Sequence, residues 1–236
     1  SLCVDLKSPD GLAAVQRLIS KADGLIENFR PGTMDRLGLG YATLKVQYPR
    51  LIYCSEKGFL AGPYEHRTAL DEVAQMMGGL AYMTGPPGKP LRAGTSVIDV
   101  QGGMFGAVGI IAALHQRNTT GQGQNVVASL YESTVFLVGQ HMLQYAVTGQ
   151  PAAPMPERIS SWGLYDVFSV QDGEQIFLAA VSDAQWVTFC DALGFADLKA
   201  DPLLATNNDR VRQRATMLPE LRQRLAGCTA AELSEL

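Results

Sequence analysis

The sequence predicts an α/β protein with a mostly parallel sheet, and three observations predict it. Compact apolar runs of strand length recur at 24–29, 51–55 and 125–130. Longer segments with helical character separate or follow them, and such alternation is the mark of parallel βαβ units. Three prolines fall within the seven residues Gln150–Pro156, and a hairpin pattern follows them. That places a domain boundary there and a second, smaller α/β unit after it.

The elements follow in order. Residues 1–6, SLCVDL, read as a short strand. Residues 8–22 read as a helix, with Ser8 as cap, Pro9 in the first turn, and Leu12, Val15, Leu18 and Ile19 recurring on one face. Residues 24–29 form an apolar strand that ends in polar residues, and 30–49 form a turn and short helices. Leu51–Ser55 is a buried strand carrying Cys54. Thr68–Met83 is predicted as one helix, with Met76, Met77 and Met104 as core filling. Residues 84–90, TGPPGKP, are a surface loop. The segment around Asp99 predicts a helix of about four turns. Residues 119–124, TTGQGQ, lack the Walker lysine and the dinucleotide glycine spacing, so they read as a helix C-cap and turn. Asn125–Leu130 is a strand and Glu132–Val147 a helix. In the second unit, 163–181 form a hairpin about Asp172–Gly173. Ser182–Leu193 is a helix capped by Ser182 or Asp183, and Asn207–Leu225 is a helix with many arginines on its outer face. The domains are therefore 1–150, a linker or loop at 151–163, and 164–236.

Composition excludes several function classes. The 236 residues are 47% hydrophobic and 18% charged, with a net charge of −4. That describes a globular chain with no general affinity for nucleic acid. Cys3, Cys54, Cys190 and Cys228 have no metal-ligand spacing, and His66, His115 and His141 are scattered. Reduced thiols, a cytoplasmic location and no metal are expected. No apolar run is expected to reach the length of a membrane span, and no signal-peptide pattern is present. The first residue is not Met, and the last eight, TAAELSEL, read as a helix just begun. A fragment of a longer protein, inactive by itself, is the expectation.

Asp99 is the leading candidate for chemistry. It lies between short β-branched residues and the Gly102–Gly103 pair, at the start of an apolar, small-residue helix. A helix start offers unpaired N–H groups and a positive dipole end that keep a carboxylate ionised. Nearby glycines let a bulky ligand approach the backbone. The alternative reading of Asp99 is an N-cap, a common use of this residue.

Several blocks together resemble the family III CoA-transferases, the L-carnitine dehydratase/bile acid-inducible protein F family. They are SLCVDLKSPDG, ADGLIENFRPGTMDRLGLGY, LIYCSEKGF, the 67–80 segment, SVIDVQGGMFGAVGIIAALHQRNTTGQGQ and DGEQIFLAAVSDAQW. The resemblance implies an incomplete Rossmann-like large domain that binds CoA, a truncated smaller α/β domain, and an interlocked homodimer when the chain is complete. It also implies CoA or acyl-CoA as substrate rather than as a prosthetic group, and a small carboxylic acid as the other substrate. No nucleic acid, membrane or metal partner is implied.

By that resemblance Asp99 is the nucleophile, forming an aspartyl anhydride and then an aspartyl-CoA thioester. Asp71 matches an acidic position beside it, where it would position groups or tune Asp99; its alternative is an ordinary acid at a helix start. Val4 and Lys7 would lie beside the adenine. Asn28, Phe29 and Arg30 would line the nucleotide crevice, and Arg36 would reach phosphate. Arg67, Thr68, Ala69 and Leu70 would lie along the pantetheine arm. Family racemases carry a His where this chain has Leu70, and Leu cannot move a proton, so transfer is favoured over racemisation or epimerisation. A noncatalytic CoA-binding module is the third reading. Arg158–Gly163 matches an active-site loop that is glycine-rich in some members but not here, with Ser160, Ser161 and Trp162 as residues that would face the acyl groups.

Overall fold

A computed structural model describes residues 1–235. The chain divides into two compact units, Ser1–Arg158 and the residues from Ile159 onward.

The first unit holds a three-stranded parallel sheet in the order β1-β2-β3. Its elements are α1 (Pro9–Ile19), β1 (Gly24–Glu27), α2 (Thr33–Arg36), α3 (Tyr41–Gln47), β2 (Ile52–Lys57), α4 (Asp71–Met77), α5 (Leu80–Thr84), α6 (Val97–Thr120), β3 (Asn125–Ser129) and α7 (Leu130–Thr148). Ser8 caps α1 by accepting from the Gly11 N–H at 3.0 Å. Ile19, Met34, Leu39, Leu44, Leu51 and Tyr53 form one core cluster, with Leu12 and Val15 packed against it. Leu18 is exposed instead, so the apolar face of α1 is narrower than expected.

Several expectations are corrected. Residues 1–6 form no strand, and the chain turns, the Ser8 N–H donating to Asp5 O at 3.1 Å. The 68–83 segment is two short helices, because Gly79 sits at φ 89°. Residues 68–70 lie outside any helix, and Leu70 enters α4 in extended conformation (φ −104°, ψ 169°). Met76, Met77 and Met104 are exposed rather than core. Helix α6 has 24 residues rather than about four turns, and it ends at Gly121 with φ 72°. It is also long and apolar enough to span a membrane by length and composition alone, which corrects the reading that no such run exists. Its small-residue face is occupied by protein.

That face explains the composition of α6. Gly102, Gly106, Gly109 and Ala113 recur at helical spacing along the surface packed on β2 and β3. A Cβ on Gly106 would collide with the Glu56 carboxylate, and one on Gly109 would lie 2.6 Å from Val126 Cγ1. The glycines let the helix axis approach the sheet closely. Helix and strands run in opposite directions. Gly102 lies near Leu130, at the carboxyl end of β3. Further along α6, Arg117 donates to Arg50 O (3.0 Å) and pairs with Asp23 (2.8 Å) at the amino ends of the strands. The start of α6, with Asp99, is thereby delivered to the carboxyl end of the sheet, where open α/β sheets bind ligands. Gly109→Val is expected to lower unfolding stability by about 1–3 kcal/mol through overpacking, as measured by urea denaturation.

The second unit pairs β4 (Leu164–Ser169) antiparallel with β5 (Gln175–Ala180), joined through Asp172 (φ 60°) and Gly173 (φ 76°). Both central residues need positive φ, which Asp-Gly supplies. Helices α8 (Asp183–Ala192), α9 (Ala196–Ala200), α10 (Asn207–Arg212), α11 (Arg214–Leu225) and α12 (Ala230–Ser234) complete it. Ser182 caps α8. Residues 207–225 form two helices broken at Gln213. Arg210 does not face outward but is fully buried. It pairs with Asp183 at 2.5 Å and lies 5.2 Å from the centroid of the Trp186 ring. The four cysteines are free thiols, with Cys54 and Cys190 buried.

Candidate functional site

The site is built around the start of α6. Ser96 precedes the helix but provides no side-chain cap. The cap comes from Asp71, 27 and 28 residues earlier in the chain. One oxygen, Oδ2, accepts from the Ile98 N–H at 2.8 Å and the Asp99 N–H at 3.2 Å. The other, Oδ1, accepts from the Gln75 side-chain amide. Gln75 Oε1 in turn accepts from the Ala93 N–H at 2.8 Å. Next to Ala93, Arg92 forms an ion pair with Glu72. Helix α4 therefore grips both the helix that carries Asp99 and the loop that leads to it.

Asp71 is 3% exposed, and its carboxylate is occupied on both oxygens. It holds Asp99 in place, so it is both an acid at the start of its own helix and the orienting group of the next. Asp99 remains in contact with solvent. Its carboxyl is held above the usual Asp range, first by partial desolvation and then by the charge of Asp71, while Arg92 acts in the opposite direction. Desolvation and the Asp71 charge thus outweigh what the helix start and Arg92 offer the Asp99 anion. The first N–H groups of α6 are spent on Asp71, and the second carboxylate raises the cost of charge on Asp99.

The remaining candidates fall into three groups. The first lies at the carboxyl ends of β1 and β2. Asn28, Phe29 and Arg30 directly follow β1 and are exposed. Lys57 closes β2, and its Nζ donates to Phe29 O at 3.0 Å. Gly58 follows, so close to Ala69 that a Cβ there would stand 2.7 Å from the Ala69 nitrogen. Arg67, Thr68, Ala69 and Leu70 thus run past the end of β2 and into Asp71. Arg67 stacks 4.8 Å over the Tyr64 ring, and Leu70 is 70% exposed. A continuous edge leads from residues 28–30 past 67–70 to Asp71 and Asp99.

The second group stands apart. Arg36 is exposed and donates to Thr33 Oγ1 at 3.0 Å, Lys7 is exposed, and Val4 is half-buried. Among the described residues, no hydrogen bond or ion pair ties these three to Asp99. The third group is Ser160, Ser161 and Trp162, which belong to the second unit. There Trp162 stacks on Tyr165 at 4.9 Å, and Asn207 holds the Ser161 carbonyl at 2.9 Å. Among the described residues, no group of three His, Cys, Asp or Glu side chains is arranged to hold a metal.

Sequence reasoning passed over Gln75, Glu72, Arg92, Glu27 and Lys57. One signal was available. Gln75 interrupts the apolar run of α4 one turn after Asp71, and it is fully buried. A buried amide needs partners on both sides.

The fold is that of an α/β protein with a solvent-reaching carboxylate, Asp99, at the start of a helix whose first N–H groups are capped by the buried Asp71. Residues 1–236 match the model of CoA-transferase family III, and the chain belongs to that family. It is 36% identical over 234 residues to an acetyl-CoA:oxalate CoA-transferase of Acetobacter aceti, covering 98% of this chain and 60% of that protein. It is 35% identical over 216 residues to a succinate–glutarate CoA-transferase of Agrobacterium fabrum, covering 91% and 54%. The crystal structure of a CAIB/BAIF family protein from Brucella suis superposes with a TM-score of 0.85 at 32% identity, covering 98% of this chain and 62% of that one. The chain thus spans about 60% of the length of these relatives.

Proposed function

We propose that the complete enzyme transfers CoA from an acyl-CoA to a free carboxylic acid, with Asp99 as the nucleophile. Its carboxylate attacks the thioester carbonyl and expels CoA thiolate, leaving a mixed anhydride. The thiolate attacks the aspartyl carbonyl, which releases the donor acid and leaves an aspartyl-CoA thioester. The acceptor carboxylate displaces CoA from that thioester to form a second anhydride. CoA thiolate then attacks the acceptor's acyl carbonyl and frees Asp99. Only a carboxyl nucleophile can be activated, carry CoA and be regenerated in this sequence.

The observation that carries this reading is the solvent-reaching Asp99 carboxylate at the start of α6, fixed by Asp71, in a family III chain. Asn28, Phe29 and Arg30 suit the nucleotide end of CoA, since an aromatic ring can stack on adenine and a guanidinium fork matches phosphate oxygens. Residues 67–70 then lie on the path of the pantetheine arm to Asp99. Leu70, exposed where a racemase would need a proton carrier, favours transfer. The test is exchange of CoA between acetyl-CoA or succinyl-CoA and a panel of carboxylic acids by the complete enzyme, compared with Asp99→Asn.

The pH dependence has a definite sign. Asp99 reacts as the anion, so activity falls as pH drops through its pKa. That pKa is raised, so the acid limb of kcat/KM lies above the ordinary Asp value of about 3.9. Arg92 favours the anion, so Arg92→Met moves the limb to still higher pH. A pH–rate profile of both proteins checks this.

A further inference from the structure

We propose that Glu27 and Lys57 are a positioning pair for CoA, an ion-pair clamp that sets the Asn28–Arg30 turn for the nucleotide end of the substrate. The inference rests on the reading of residues 28–30 as CoA-facing. The clamp itself is a matter of geometry. Glu27 ends β1 and Lys57 ends β2, and the two strands are adjacent and parallel. Lys57 Nζ pairs with Glu27 Oε1 at 2.6 Å, and the two side chains are 19% and 3% exposed. The other glutamate oxygen, Oε2, accepts from the Phe29 N–H at 2.8 Å, and Lys57 Nζ also donates to Phe29 O at 3.0 Å. Both main-chain polar atoms of Phe29 are therefore held by the two ends of one ion pair.

Nothing in the sheet does this work. The pairing of β1 with β2 ends at Glu27↔Ser55, so the chain beyond it has left the ladder. Pro31 and Gly32, with φ 75° at Gly32, then turn it into α2. Without the clamp, residues 28–30 would be a turn free to sample many conformations. With it, an amide, an aromatic ring (42% exposed) and a guanidinium are presented in one fixed order at the carboxyl end of the sheet. The energetics point the same way. Desolvating an ion pair offsets much of its attraction, so net stabilisation is a weak reason for this pair, whereas its hold on both main-chain polar atoms of Phe29 is direct. Holding a binding loop in its bound conformation before the ligand arrives removes the ordering cost from binding.

The test compares the complete wild-type enzyme with Lys57→Met, Lys57→Arg and Glu27→Gln. Affinity for CoA, and kinetics with acetyl-CoA and with S-acetylpantetheine (which lacks the nucleotide), are read together with Tm. Lys57→Met is expected to weaken CoA binding and raise KM for acetyl-CoA about tenfold, equivalent to about 1.4 kcal/mol of lost preorganisation. Saturated kcat should stay within about twofold, since the clamp does not touch Asp99. Kinetics with S-acetylpantetheine should match wild type, which a general structural defect would not allow. Lys57→Arg should recover part of the affinity. Should Lys57→Met fail to fold, Glu27→Gln carries the test, because it keeps the side-chain volume but sets an amide against Lys57. Folded variants that bind CoA as wild type does would overturn the clamp while leaving Asp99 chemistry standing. An equal loss with both thioesters would also overturn it. A wild-type enzyme that binds no CoA would overturn the clamp and the reading beneath it.

Discussion

Asp99→Ala and Asp99→Asn are expected to reduce CoA exchange in the complete enzyme by roughly 10³-fold or more, with Tm little changed. The size follows from the chemistry. The covalent route needs a carboxylate that becomes an anhydride and then a thioester, and neither Ala nor Asn supplies one. The small effect on stability follows from position, because Asp99 reaches solvent at a helix start whose capping is done by Asp71. Initial rates of CoA transfer, with thermal melts of the same preparations, give both quantities. Transfer at a normal rate by Asp99→Asn would remove Asp99 from the mechanism.

Asp71 is expected to give the second large effect, with a different signature. Asp71→Ala leaves the Ile98 and Asp99 N–H groups and the Gln75 amide without their buried acceptor. That lowers stability by about 2–3 kcal/mol. It also frees the start of α6, and displacement of the nucleophile by about 1 Å can cost about 10²-fold in rate. Asp71→Asn is the sharper probe. Gln75 offers its Nε2 to Asp71 because its Oε1 already accepts from the Ala93 N–H. An asparagine that keeps its oxygen on α6 must turn its own NH₂ toward the Gln75 NH₂, so two donors face each other. Flipping Gln75 only moves the conflict to Ala93. The same substitution removes a negative charge beside Asp99 and should move the acid limb of the pH–rate profile downward, opposite to Arg92→Met. Urea denaturation and pH-dependent kinetics separate the two effects. An Asp71→Asn enzyme with wild-type stability and an unshifted acid limb would contradict the capping role.

The parallel sheet, α1, the hairpin at Asp172–Gly173 and the Gly121 helix end were legible because local signals determine them. They are apolar runs of strand length, a Ser cap before Pro, and residues suited to positive φ. The breaks at Gly79 and Gln213 were missed because apolar periodicity continues across them. The length of α6 was underestimated because its small residues carry a weak periodic signal; its glycines answer to Glu56 and Val126, which lie far away in sequence. The burial of Arg210 was not legible because charge suggests solvent, whereas Asp183 and Trp186 enclose it. At the site, the family resemblance already put Asp71 beside Asp99 as a positioning or tuning group, but the capping of α6 by its carboxylate was not legible. A side chain capping a helix start 27 residues later leaves no local pattern. The same holds for Glu27 and Lys57, whose significance exists only once β1 and β2 are adjacent.

The most direct measurement is chemical. The complete enzyme is incubated with acyl-CoA and no acceptor, treated with borohydride, and mapped by peptide mass spectrometry. Hydride reduction of an aspartyl thioester or anhydride converts that side chain to the alcohol, so homoserine at position 99 is the result predicted here. Unmodified Asp99 in enzyme that is actively exchanging CoA, or reduction at another carboxylate, would contradict the account.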